Sequence, residues 1–239
     1  MRRSLLFGAF AAVLIGSAAN AGTPYRQELT CPLDGQKFTF TNTMSYSTFG
    51  AMLDGMPMGS WIMPMPIPQC PGSNFPLFQE TFSDAELATA RALVAEPAYQ
   101  AIKDESSYYV LRYVLARMMP GREPIDDAWL LLSATWQAQD DPARYARYAA
   151  ETIPVLDQAS DTLRQEKPDD WIYVQTILAN LSRQSGDFAA AGARLDALPS
   201  SVENTEMTRR IRLTRDLIAR QDKTPQSLPR DVDADEPIP

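Results

Sequence analysis

Prolines constrain this chain more than any other residue type. Pro97, Pro124, Pro142 and Pro168 each stand at the head of a run in which apolar residues recur every three or four positions. Proline is at home in the first turn of a helix, where its missing N–H would have had no partner, and disruptive in a helix interior or a central strand. Between residues 83 and about 221 the chain is rich in Ala, Leu and Arg with a period near 3.6. Periodicity and proline placement together predict helices in series, joined by short turns.

The start of this region is written in the side chains. Phe82-Ser83-Asp84-Ala85-Glu86-Leu87 combines a capping box, Ser83 with Glu86, and a hydrophobic staple, Phe82 against Leu87. A first helix is expected from Ser83 to about Ala95, and a second opens at Pro97. An apolar face through Tyr109, Val110, Leu111, Tyr113 and Val114 should reach Met118 and stop at Pro120-Gly121. Pro124 opens a helix with Trp129, Leu132 and Trp136; Asp141-Pro142 opens another with Tyr145, Tyr148 and Ala149, which Pro154 should kink or shorten. Pro168 begins a helix with Trp171, Val174, Leu178 and Leu181. Gly186-Asp187 turns the chain into the next, Phe188 to about Leu198, and a last helix should face Met207, Ile211 and Ile218 inward. Residues 222–239 hold four prolines, many acids and little to bury, which predicts a disordered tail.

Residues 22–82 have a different texture, with aromatic, Pro, Gly and Met residues in short runs such as Phe38-Thr39-Phe40 and Trp61-Ile62. These read as short strands or irregular loops. Ahead of them, Arg2-Arg3, the apolar run Leu5–Ile15 and Ala19-Asn20-Ala21 have the form of a secretory signal cleaved after Ala21. The expected location is periplasmic or secreted, with no membrane span after cleavage. The mature chain then keeps 20 basic against 30 acidic residues, a balance that argues against nucleic acid and anionic membranes as partners.

Histidine is absent, which removes Ser-His-Asp and Cys-His catalysis and His-ligated metals. The acidic pairs Asp126-Asp127, Asp140-Asp141 and Asp169-Asp170 all fall at predicted helix starts, where carboxylates stabilise the helix dipole. No catalytic residue and no cofactor is expected.

Residues 178–198, LANLSRQSGDFAAAGARLDAL, resemble one tetratricopeptide unit, with Gly186-Asp187-Phe188 at the turn and Ala191 at the close helix crossing. Residues 129–153 look like a second copy, about 42 residues upstream from Trp171 to Trp129. In the N-terminal part Cys31-Pro32-Leu33-Asp34-Gly35 resembles the knuckle C-P-x-C-G with Asp34 at the second cysteine. Cys70-Pro71-Gly72-Ser73-Asn74 resembles it again, with Ser73 in that place. Two knuckles, an S-x-x-E helix start and such hairpins are similar to an uncharacterised bacterial family of zinc-ribbon proteins. The resemblance implies a mainly α fold, tetratricopeptide-like helical hairpins preceded by a small β or irregular ribbon-like domain. Four thiolates would close a tetrahedral zinc shell; Cys31, Asp34, Cys70 and Ser73 do not. In a ribbon the two first cysteines lie near one another, and export places them where thiols oxidise, so the resemblance implies a Cys31–Cys70 disulfide in place of the metal.

Stacked helical hairpins commonly bind a peptide or a partner protein in a groove. Trp129, Trp136, Tyr145, Tyr148 and Trp171 are the aromatic candidates for lining it, with core packing as the alternative for each. The expected function is a non-enzymatic protein- or peptide-binding or scaffolding module of the cell envelope. A competing reading takes Met52, Met56, Met58, Met63 and Met65, five methionines within 14 residues, as a Cu(I) carrier loop, because thioethers select soft metals. The alternative role for these methionines is as flexible apolar filler.

Overall fold

A computed structural model describes residues 22–104, 107–117 and 122–228. Among these residues four short strands precede a series of helices. Strands β1 (Pro24–Thr30) and β2 (Lys37–Thr43) form an antiparallel ribbon that pairs Gln27 with Phe40 and Leu29 with Phe38. Strands β3 (Thr48–Ala51) and β4 (Pro57–Gly59) form a second hairpin. Trp61-Ile62 is irregular rather than a strand.

The helices are α1 (Asp84–Ala95), α2 (Pro97–Ile102), α3 (Tyr108–Ala116), α4 (Pro124–Gln137), α5 (Pro142–Ser160), α6 (Leu163–Glu166), α7 (Pro168–Ser185), α8 (Phe188–Asp196) and α9 (Thr205–Ala219). Pro97, Pro124, Pro142 and Pro168 all begin helices, as expected. The capping box also forms: Glu86 N–H donates to Ser83 Oγ at 3.3 Å, and Ser83 N–H to Glu86 Oε2 at 2.7 Å. Asp141 and Asp187 cap α5 and α8 by accepting from the N–H groups of Arg144 and Ala190. Gly186, at φ 94°, takes the left-handed turn between α7 and α8. The predicted stop at Pro120-Gly121 lies outside the described residues, as does the leader at 1–21.

Four expectations are corrected. The helix opened by Pro97 does not continue along the apolar face to Met118: α2 ends at Ile102 and α3 begins anew at Tyr108, capped by Ser107. Helix α5 runs unbroken through Pro154. Pro154 and Ala150 are both exposed, so the carbonyl that loses its intrahelical donor faces solvent. Helix α9 buries Arg210, Leu213, Thr214 and Leu217, while Met207, Ile211 and Ile218 are half-buried. Its inner face is set by what it packs against, the β3–β4 hairpin as well as α7. Residues 222–228 are not a loose tail: the buried Arg183 donates to the carbonyls of Asp222 (2.6 Å) and Thr224 (3.0 Å), and Leu228 packs beside Leu53. Residues 229–239 lie outside the described residues.

Among the described residues two larger cores and a small cluster of Leu53, Leu213 and Leu217 hold the chain together. The larger joins α3, α4, α5 and α7 through Tyr109, Leu132, Trp136, Tyr148, Leu156, Ile177 and Leu181. Between α4 and α5 the hydroxyls of Thr135 and Thr152 meet at 2.9 Å, and Thr135 spends its proton on the Leu131 carbonyl, so Thr152 is the donor. The smaller core is centred on a Cys31–Cys70 disulfide, fully buried, with Cα atoms 5.2 Å apart. Phe75, Leu93, Tyr99, Leu111 and Leu115 surround it, so residues before 82 share one core with α1, α2 and α3. No helix among the described residues is long and apolar enough to cross a membrane. Replacing both cysteines with alanine, Cys31→Ala and Cys70→Ala, is expected to lower unfolding free energy by about 2–4 kcal/mol in urea titrations, because a loop of about 40 residues is released.

Candidate functional site

Part of the helical layer is covered by the chain itself. The connection between β3 and β4, Met52-Leu53-Asp54-Gly55-Met56, is a tight turn closed by Met52 N–H to Met56 O (2.8 Å) and Gly55 N–H to Met52 O (3.0 Å). Leu53 and Asp54 are both 0% exposed. Gly55 sits at φ 88°, and a Cβ there would lie 2.8 Å from Ile177 Cδ1 of α7. Glycine is therefore required twice over, by backbone conformation and by the close approach to α7.

Each neighbouring element supplies a donor to the turn. Asp54 Oδ1 accepts from Met56 N–H at 3.2 Å. Oδ2 accepts from Gln139 (3.2 Å), Gln184 (3.3 Å) and Tyr145 Oη (3.4 Å). The Asp54 carbonyl takes the Trp136 indole N–H at 3.1 Å. From α9, Arg210 Nη1 donates to the carbonyls of Met52 (3.1 Å) and Leu53 (3.0 Å). On the other side Leu53 N–H donates to Gln226 O at 2.8 Å, and Met52 bridges to Ser227. Burial pushes the Asp54 carboxyl above the ordinary aspartate range, against the opposing pull of Met56 N–H, Gln184, Gln139 and Tyr145. Arg183 of α7 supplies a nearby positive charge.

This arrangement redistributes the sequence candidates. Trp136 and Tyr145 bind Asp54; Tyr148 and Trp171 are buried, Tyr148 in the main core and Trp171 under the guanidinium of Arg164. Trp129 is half-buried against that core. The turn covers Trp136 and Tyr145 on the side of Asp54, while Trp136 also borders the crevice at Met56 and Tyr148 borders one of about 380 Å³ between α3 and α5. Four of the five methionines have contacts that can be named. Met56 and Met63 share a crevice of about 230 Å³ with Trp136 and Asp140. Met56 packs on the main core, the Met52 carbonyl is held by Arg210, and the Met65 carbonyl accepts from Tyr109 Oη at 3.0 Å. Among the described residues no group of three or more His, Cys, Asp or Glu side chains is placed to hold a metal.

The cysteine loops form a matched pair. Cys31 N–H donates to Gln36 O (2.9 Å) and Gly35 N–H returns to Cys31 O (2.8 Å). Cys70 N–H donates to Phe75 O (2.9 Å) and Asn74 N–H returns to Cys70 O (3.0 Å). Gly35 (φ 78°) and Asn74 (φ 54°) make the same left-handed bend. Asp34 Oδ1 accepts from Gln36 N–H at 2.9 Å, and Ser73 Oγ from Phe75 N–H at 3.4 Å. The side chains at the second-cysteine positions thus satisfy the same backbone donor in each loop. Arg91 of α1 fixes the first loop through the carbonyls of Pro32 and Leu33, and Asn74 ties the second to Lys103 O.

An open crevice of about 540 Å³ lies between the ribbon and the segment entering α1. Leu29, Leu77, Phe78 and Phe82 make it apolar, with Gln27, Asn42, Gln79 and Glu80 also lining it.

Asp54 was missed as a site residue in the sequence, yet a signal was there. Between Lys37 and Glu80 it is the one charged residue in 42 positions, and a lone charge in so apolar a stretch calls for buried partners. Gly55→Ala is expected to destabilise the fold by about 1–3 kcal/mol. A carboxyl whose folded pKa is raised above 3.8 binds its proton more tightly in the native state, so its contribution to stability falls as pH rises through that window. Asp54→Asn should therefore gain on the wild type as pH rises above the ordinary aspartate value of 3.8 in urea unfolding; equal pH slopes would refute this. Comparison of the chain with family models, curated proteins and solved structures finds no match.

Proposed function

We propose that this chain is an exported, non-enzymatic binding protein of the cell envelope, and that its partner, a protein or peptide, lies in the crevice beside the β1–β2 ribbon. The observation that carries this reading is that crevice: an apolar floor with polar side chains around it, next to strands whose outer backbone edges are open to added pairing. The Asp54 turn covers the part of the helical layer around Trp136 and Tyr145. Export is supported by the composition of residues 1–21 and by the buried disulfide, which suits an oxidising compartment. A photoreactive residue at Gln27, which faces the crevice, is expected to capture a partner in envelope fractions. The same probe at Glu28, on the opposite ribbon face, is not. Adducts from neither position, or equally from both, would refute the reading.

The same proposal takes the paired cysteine loops as a zinc ribbon whose metal has been replaced by the disulfide, and α4–α5 and α7–α8 as tetratricopeptide-like hairpins. The matched hydrogen bonds and left-handed bends of the two loops support the first part. The packing of α4 on α5, α5 on α7 and α7 on α8, with Ala191 fully buried at the crossing, supports the second. Restoring the two missing thiols with Asp34→Cys and Ser73→Cys should give a reduced protein that binds one zinc ion, where the reduced wild type binds none. Zinc uptake by neither protein would count against the ribbon origin.

A further inference from the structure

The crevice that Met56 and Met63 share with Trp136 and Asp140 lies beside the Asp54 turn and is held in shape by it. At about 230 Å³ it is smaller than the ~300–1,000 Å³ of pockets for drug-sized ligands, so it is sized for a small one. Three of its lining residues are hydrogen-bonded to Asp54: Trp136 donates its indole N–H to the carbonyl, Gln139 donates to Oδ2, and Met56 N–H donates to Oδ1. With its amide nitrogen committed there, Gln139 keeps its side-chain oxygen as an acceptor. Walls fixed before anything enters lower the entropic cost of binding.

The chemistry of this lining is one-sided. Tyr108 and Trp136 bring aromatic rings, Met56 and Met63 bring thioethers, and Asp140 brings an exposed carboxylate with no ion-pair partner among the described residues. No lysine or arginine lines the crevice, and none is encoded from Phe38 to Gln79 or from Pro124 to Ala143. Elsewhere guanidinium groups cover the aromatic rings: Arg147 lies over Tyr148, Arg164 over Trp171 and Arg210 over Tyr173. Among the described residues none lies over Tyr108 or Trp136. Aromatic rings beside an unpaired carboxylate attract a cation that the protein does not itself supply, and methyl groups on that cation would pack on the thioethers.

We propose that this crevice is a binding site for a small methylated ammonium ion, held between Tyr108, Trp136 and Asp140. It shares no lining residue with the ribbon crevice, so a partner there is neither required nor excluded by it.

Choline chloride titrated into the protein by calorimetry, against sodium chloride of the same ionic strength, should bind saturably at one site with a Kd of about 1 mM or below. Neohexyl alcohol, the uncharged carbon isostere of choline, should bind at least about tenfold more weakly. Asp140→Asn, at an exposed position, should weaken choline about threefold, and Asp140→Lys about tenfold or more, with unchanged circular dichroism and melting curves. Tyr108→Leu should cost about fivefold through the lost ring. Absence of saturable choline binding overturns the proposal, as does equal binding of the alcohol. Choline affinity unchanged by both Asp140 substitutions overturns it too, because the ligand would then lie elsewhere. Silver(I), a stand-in for Cu(I), taken up by the wild type but not by Met56→Leu/Met63→Leu, with no choline binding, overturns it in favour of a soft-metal site.

Discussion

The docking of one turn, Leu53-Asp54-Gly55, between the helices and the C-terminal segment is the interaction on which the rest of the structure depends. A carboxylate, two backbone carbonyls and a buried leucine enter a seat assembled from α4, α5, α7, α9 and residues 226–228. Placing a carboxylate out of water carries a heavy desolvation cost unless several donors meet it. Four do, and three of them are neutral side chains. The turn in return gives Arg210 two acceptors that α9 alone could not supply. Each side of the contact satisfies polar groups that the other would leave stranded in the interior.

The disulfide plays a complementary part at the opposite end of the small lobe. It holds the two loops at a fixed spacing and buries its sulfur atoms among Phe75, Leu93 and Leu115. The loops are anchored to the helices through Arg91 and Asn74. The lobe is thus fixed at two places, by a covalent core against α1–α3 and by a polar plug against α4–α9. The ribbon crevice lies beside the first of these anchors, lined by Pro32, Leu77 and Phe82.

How far the sequence exposed this plan depends on the range of the forces involved. Helix starts are local: proline at the first position, Ser83 with Glu86, and Asp141 or Asp187 as caps act over three or four residues, and all appear where the sequence placed them. Pro154 does not shorten α5, because its effect depends on which face of the helix meets water. The inner face of α9 was misjudged by about one position because it is set by Leu53, more than 150 residues away along the chain. The aromatic residues assigned to a groove do sit at the helical seat or in the core, but nothing in their spacing shows that a hairpin from residues 52–56 would occupy that seat. The ordering of residues 222–228 was hidden for the same reason: its cause is Arg183, a buried side chain that reads in sequence as an ordinary helix-end cation.

The origin of the seat also sets the order in which the molecule can be completed. Its hydrogen-bond partners come from residues 136 to 226, and the hydrogen bonds to Arg210 link positions 157 and 158 apart. A chain appears amino end first, so the hairpin that emerges early must wait, with Asp54 still hydrated, until nearly the last described residue has arrived. The N-terminal lobe is the first part of this protein to be made and the last to be sealed, which gives it the slow, non-local closure expected of high contact order.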